Sequence, residues 1–170
     1  MLEQHDTLVL ERDKTDKMMN KIRSLFGQQV SQEVAEEMIE SETEIDSKIT
    51  DVSIMFLDIR DFTRFADSRD PAEVAKFQNI VFSELINIVR ECQGIVSQIL
   101  GDGIMAIFGA PVAIKDHLNN AVKAGYAMIQ KIHELGESGK IPSIKVGIGL
   151  NTGTVMAGNV GNELRKFYSL

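Results

Sequence analysis

Cysteine is almost absent. The 170-residue chain has one, Cys92, which rules out an internal disulfide and suits a reducing compartment. No apolar run approaches the ~18 residues that cross a bilayer, so no membrane segment is expected. The opening Met1-Leu2-Glu3-Gln4-His5-Asp6 is polar and acidic, unlike a secretory signal. Lysine and arginine form no dense run, which argues against a nucleic-acid groove. Together these absences point to a cytoplasmic setting, either of a free protein or of the cytoplasmic part of a membrane-bound receptor.

What is present is unevenly spread. Residues 1–51 hold 13 acids against 6 bases, and residues 52–170 hold 12 of each, so the whole net charge of −7 lies in the N-terminal stretch. An apolar fraction of 44% is ordinary for a globular core. The length suits one domain plus an appendage. Residues 2–26 lack Gly and Pro and read as a helix, with Met18, Ile22 and Leu25 on one stripe and Leu8 about three turns earlier. Gly27 interrupts, and Ser31 caps a second helix from Gln32 to about Ile39, lined by Val34 and Met38. Narrow stripes on acidic helices suit coiled-coil pairing with another helix; a solvated arm is the alternative. Residues 40–44 read as a linker. Residues 1–47 are therefore expected to be signalling helices and linker, ahead of a compact domain over 48–170.

Within that domain, Val52–Leu57 reads as a central strand, followed by a turn from Asp58 to Thr63 and a short helical stretch near Arg64–Asp67. Asp70 and Pro71 are a favoured N-cap and first residue for a helix running to about Glu91, with Phe77, Val81, Leu85 and Val89 inward. Ile95–Leu100 and Ile104–Phe108 are strands joined by Gly101-Asp102-Gly103, a tight-hairpin signal. Asp116–Leu135 reads as a helix, Gly136–Pro142 as a loop, Ser143–Leu150 and Thr154–Ala157 as strands between glycine-rich turns, and Lys166–Leu170 as the start of another. The order predicts an α+β fold of the ferredoxin-like kind, a mostly antiparallel sheet with helices on one face.

Two segments carry chemistry. Phe56-Leu57-Asp58-Ile59-Arg60-Asp61-Phe62-Thr63 and Gly101-Asp102-Gly103 each end an apolar strand with an aspartate. If the first strand lies beside the hairpin, the two carboxylates meet at one edge of the sheet. Such a pair can bridge two Mg²⁺ or Mn²⁺ ions whose shells are completed by water and phosphate. Backbone N–H groups after Ile59 lead into a helix and can hold phosphate oxygens. Taken singly, Asp-Gly is a common hairpin turn and Asp58 can cap a turn. His117, at a helix start, reads as a surface or capping residue, and Arg60 and Asp61 as a local pair.

FLDIRDFTRF, SQILGDGIMAIFGAP and KVGIGLNTGTVMAGNVGNELRKFYSL, in that order, resemble the catalytic domain of the class III nucleotidyl cyclases over about residues 50–170. LFGQQVSQEVAEEMI resembles the lead-in of bacterial members. The resemblance implies cyclisation of a nucleoside triphosphate to a 3′,5′-cyclic nucleotide, with pyrophosphate leaving. It implies Asp58 and Asp102 as metal ligands with the Ile59 carbonyl, and Phe62 and Thr63 as backbone donors to phosphate. It also implies a head-to-tail homodimer, with the glycine-rich stretch around Gly153, Gly158 and Gly161 at the interface, and an upstream sensor whose signal the N-terminal helix transmits.

Two departures qualify the resemblance. Family members that use ATP usually have Lys, and those that use GTP usually have Glu, at the position held here by Gln98; the second base-reading position is Ser169. This pair selects neither purine, and ATP is favoured because adenylate cyclases dominate the bacterial members. The family continues past the FYSL strand into a helix with an Asn and an Arg, whereas this chain stops at Leu170, so a fragment of weak activity is expected. A guanylate cyclase and a catalytically silent, dimerising nucleotide-binding module are the alternatives. A diguanylate cyclase is disfavoured, because its Gly-Gly-Asp/Glu-Glu-Phe hairpin has no counterpart in Leu100-Gly101-Asp102-Gly103-Ile104.

Overall fold

The computed structural model describes residues 48–162 and 165–169. The expected helices at 2–26 and 32–39, their pairing and the linker at 40–44 lie outside these residues. Five strands and three helices follow in order: β1 (Lys48–Ile59), α1 (Phe62–Asp67), α2 (Pro71–Glu91), β2 (Ile95–Leu100), β3 (Gly103–Phe108), α3 (His117–Glu137), β4 (Val146–Asn162) and β5 (Arg165–Ser169). The sheet order is β2-β3-β1-β4-β5, with each neighbouring pair antiparallel. This is the ferredoxin-like α+β arrangement that the element order predicts.

Alternation along β1 divides the sheet into two faces. Met55, Leu57 and Ile59 are buried, and they join Phe77, Val81, Leu85 and Val89 of α2 and Ala121, Ala124 and Met128 of α3 in one core. Phe56 and Asp58 point the other way and are exposed. The helices therefore cover one face, and no described helix covers the opposite one. α2 keeps the predicted bounds because its start is fixed locally: the Asp70 side chain accepts from the Ala72 N–H at 2.8 Å, one residue past Pro71.

Three expectations need correction. β1 does not stop at Leu57. Asp58 is paired on both sides and Ile59 with Val146 of β4, so Asp58 belongs to a strand rather than a turn. β4 is one strand of 17 residues, not two strands between glycine turns. Its first part pairs with β1 through Ala157, and its last part, from Gly158, pairs with β5, so Gly147, Gly149 and Gly153 lie within a ladder. His117 is more than a surface or capping residue, being half-buried and bonded into the sheet. Its Nδ1 is 2.9 Å from the hydroxyl of Ser53, a fully buried side chain that also bonds the Thr152 hydroxyl at 2.7 Å. The start of α3 is thereby tied to the middle of β1 and β4.

Candidate active site

The face without described helices meets the upper end of the sheet at Asp58. Its Cα is in register with Gly103 of β3 on one side and Gly147 of β4 on the other. Asp102 immediately precedes Gly103, in the two-residue loop joining β2 to β3. Gly101 opens that loop at φ 64°, the left-handed backbone that a tight hairpin needs and that glycine adopts without strain. The Ile59 N–H donates to the Asp102 carbonyl at 3.2 Å. On the other side of the loop, the Gln78 side chain of α2 donates to the Gly101 carbonyl at 2.9 Å. The two aspartates, distant in sequence, are thus backbone neighbours on anchored segments.

Gly103 makes this approach possible, because a Cβ there would collide with the Leu57 carbonyl oxygen. An extended residue carries its N–H and C=O on the same strand edge. The Ile59 carbonyl is therefore directed to the hairpin side, as its N–H is. The Asp58 side chain is 55% exposed and Asp102 is half-buried, so both remain accessible from solvent. Among the described residues, no cluster of three or more His, Cys, Asp or Glu is poised for a metal. Two carboxylates and a carbonyl do not make a complete cage. They fit a hard divalent ion such as Mg²⁺ or Mn²⁺ that keeps water and takes phosphate oxygens in its remaining positions.

Arg60 pairs with Asp58, not with Asp61. Its Nη1 lies 3.3 Å from Asp58 Oδ1, and its guanidinium lies over Gly147, where a side chain would strike it. Its backbone is fixed separately, with the Arg60 N–H donating to the Lys145 carbonyl at 2.8 Å. The next residue, Asp61, adopts φ 59°, turning the chain sharply out of β1. α1 then starts at Phe62, and Asp61 makes no side-chain cap bond. The first N–H groups of a helix lack intrahelical partners, so those of Phe62 and Thr63 are available beside the aspartates. The Phe62 ring is occupied elsewhere. It packs with Phe65 and Phe77 at centroid distances of 6.0 and 6.4 Å, which leaves only its backbone for a ligand.

Gln98 lies on β2, in register with Met105, which is itself in register with Phe56. It is exposed on the Asp58 face, near the hairpin. Ser169 is elsewhere: it lies on β5 in register with Gly158, next to the Lys48 end of β1. Gln98 and Ser169 therefore stand on the two outermost strands, four strand spacings or roughly 19 Å apart across the sheet, and toward opposite ends of it. One chain does not bring them to a common point.

Arg60 and Gln78 are polar neighbours of the site to which the sequence alone assigned no chemistry. Arg60 had one legible signal, since residues two apart on a strand share a face. Gln78 had none, since nothing local links it to a carbonyl beyond α2.

A family model described as the adenylate and guanylate cyclase catalytic domain matches residues 45–169. An uncharacterised protein of Mycobacterium tuberculosis is 31% identical over 150 residues, covering 88% of this chain and 27% of that protein. The chain thus spans about a quarter of the length of the curated relatives it matches. Among solved structures, the guanylyl cyclase Cya2 is 32% identical with a TM-score of 0.67, covering 75% of this chain and 65% of Cya2. The adenylyl cyclase CyaB from P. aeruginosa is 25% identical with the same TM-score of 0.67, covering 73% of this chain and 66% of CyaB.

Proposed function

The chain belongs to the family of adenylate and guanylate cyclase catalytic domains, and on that premise we propose that it forms a 3′,5′-cyclic nucleotide, cAMP from ATP, with release of pyrophosphate. The observation that carries the reading is the contact between the Asp58 and Asp102 segments, closed by the 3.2 Å bond from Ile59 to Asp102. Metal-assisted phosphoryl chemistry needs two carboxylates at one place, and the reading is supported by Asp58 on β1 and Asp102 in the hairpin loop being backbone neighbours. Asp58, Asp102 and the Ile59 carbonyl hold the divalent ions. When bound, Mg²⁺ or Mn²⁺ lowers the pKa of the ribose 3′-hydroxyl and neutralises charge on the triphosphate.

The other residues bind and orient. The backbone N–H groups of Phe62 and Thr63 take phosphate oxygens. Gln98 meets the purine edge, where an amide can donate and accept. That versatility keeps GTP as a second substrate candidate, and the similarity to both an adenylyl and a guanylyl cyclase accords with it. A purine contact that also used Ser169 would be assembled across two copies. A homodimer is part of the proposal. The face that carries Asp58 supports it, because among the described residues Phe56 is 49% and Leu100 46% exposed there. The family resemblance places an Asn and an Arg after the FYSL strand, and this dimer would offer them to the partner's site. Residues 1–47 would relay a signal from an upstream sensor.

The test is a turnover assay on the chain extended past Leu170, offered ATP and GTP separately with Mg²⁺ and with Mn²⁺. Cyclic AMP and pyrophosphate from ATP are expected. Cyclic GMP alone would reverse the purine assignment. No cyclic product from either nucleotide would overturn the enzymatic reading in favour of a silent dimerising module.

A further inference from the structure

We propose that Arg60 is a resident counter-cation of the Asp58 site, seated against the carboxylate until divalent ions displace it, and that it thereby sets the threshold for metal binding. The inference rests on the assignment of Asp58 as a metal ligand. Two features carry it. The first is the ion pair of Arg60 Nη1 with Asp58 Oδ1 at 3.3 Å. The second is the seat. The guanidinium lies across β4 at Gly147, the cross-strand partner of Asp58, and a Cβ at that position would fall on its Nη2, Cζ and Nε atoms. A bare backbone opposite the carboxylate leaves room for a flat cation, and Arg60 fills it.

Asp58 therefore already has a cation beside it before metal arrives. Divalent ions on the same carboxylate would repel a guanidinium a few ångströms away, so binding requires Arg60 to withdraw. Its geometry allows this. The side chain is 60% exposed, while the backbone stays fixed through the bond to Lys145, so withdrawal is a rotamer change that leaves β1 in place. The displacement is an exchange of cations on one carboxylate, with no proton or covalent step.

The experiment is a direct Mn²⁺ titration without nucleotide, following the electron paramagnetic resonance signal of the free ion. It compares the unaltered chain with R60Q, G147A and D58N. R60Q removes the competing charge, and G147A closes the seat while keeping the arginine. Both should bind Mn²⁺ more tightly by about two- to fivefold, the range expected for losing an exposed ion pair. The difference should shrink at high salt, where exposed charges are screened. A purely structural role for Arg60 would give the opposite sign, because loosening the site weakens binding. Unchanged or weaker Mn²⁺ binding in either variant overturns the proposal. D58N should lose the binding. If D58N binds as the unaltered chain does, the metal-site assignment itself fails, and the Arg60 inference falls with it.

Discussion

A single methyl group at Gly103 separates the account from a looser one. The Cβ of Gly103→Ala would collide with the Leu57 carbonyl oxygen, a backbone atom of the central strand that has no rotamer to escape into. Relief requires β3 to move off β1 at the Asp58 end. Overpacking of this kind costs about 1–3 kcal/mol. The bond from the Ile59 N–H to the Asp102 carbonyl would lengthen with it, adding about 1 kcal/mol. A loss of about 2–4 kcal/mol lowers the melting midpoint of a domain this size by roughly 6–15 °C, which calorimetry resolves easily. Turnover should fall further than stability suggests, by about 100-fold, because a displacement near 1 Å at a reacting centre costs that much. Gly149→Ala is the control. A Cβ there meets nothing within 4 Å, so it should stabilise slightly, by about 0.4–1 kcal/mol, through the unfolded chain. A Gly103→Ala protein that melts within about 1 °C of the unaltered one would refute the close approach on which the site is built.

Three further outcomes follow from the same coordinates. Ser53→Ala removes a buried hydroxyl bonded to His117 and Thr152, and should cost about 1–3 kcal/mol in urea denaturation. Gln78→Ala unties the hairpin loop from α2 and should lower kcat with little change in the melting midpoint, since the bond it removes is exposed. Burial and, secondarily, the neighbouring Glu91 raise the pKa of the Cys92 thiol, so less of it is thiolate at pH 8. Iodoacetamide should therefore alkylate Cys92 more slowly than free cysteine at that pH, and the gap should close as pH rises past the raised pKa.

Signals that are strong and local in the chain were read correctly. Asp70-Pro71 fixed the start of α2, and Gly101-Asp102-Gly103 fixed the hairpin, because capping and turn geometry depend on a few adjacent residues. The glycines of β4 misled. A glycine in a sequence signals a turn more often than a flat strand, and only the ladder with β1 reveals that Gly153, between the two expected strands, is paired with Val52. Asp58 was read as a turn residue for a similar reason: a charged side chain usually ends a strand that is buried on both faces. The face without described helices permits it here. His117 reads as a surface or capping residue because its partner, Ser53, lies 64 positions away and no local pattern announces the bond. The two aspartates were legible as a pair because their flanking strands were. The seat of Arg60 was not, since it depends on a cross-strand glycine. The family resemblance added roles to residues that geometry alone could only bring together.

The central claim is that Asp58 and Asp102 act as one unit on shared cations. Its most direct measurement is the turnover of Asp58→Ala, Asp102→Ala and the double variant, in the chain extended past Leu170 with Mn²⁺. Residues that act as a unit show non-additive losses. Each single variant should therefore be about as inactive as the double, at least about 100-fold below the unaltered protein. Near-normal turnover in either single variant, or losses that simply multiply in the double, would contradict it.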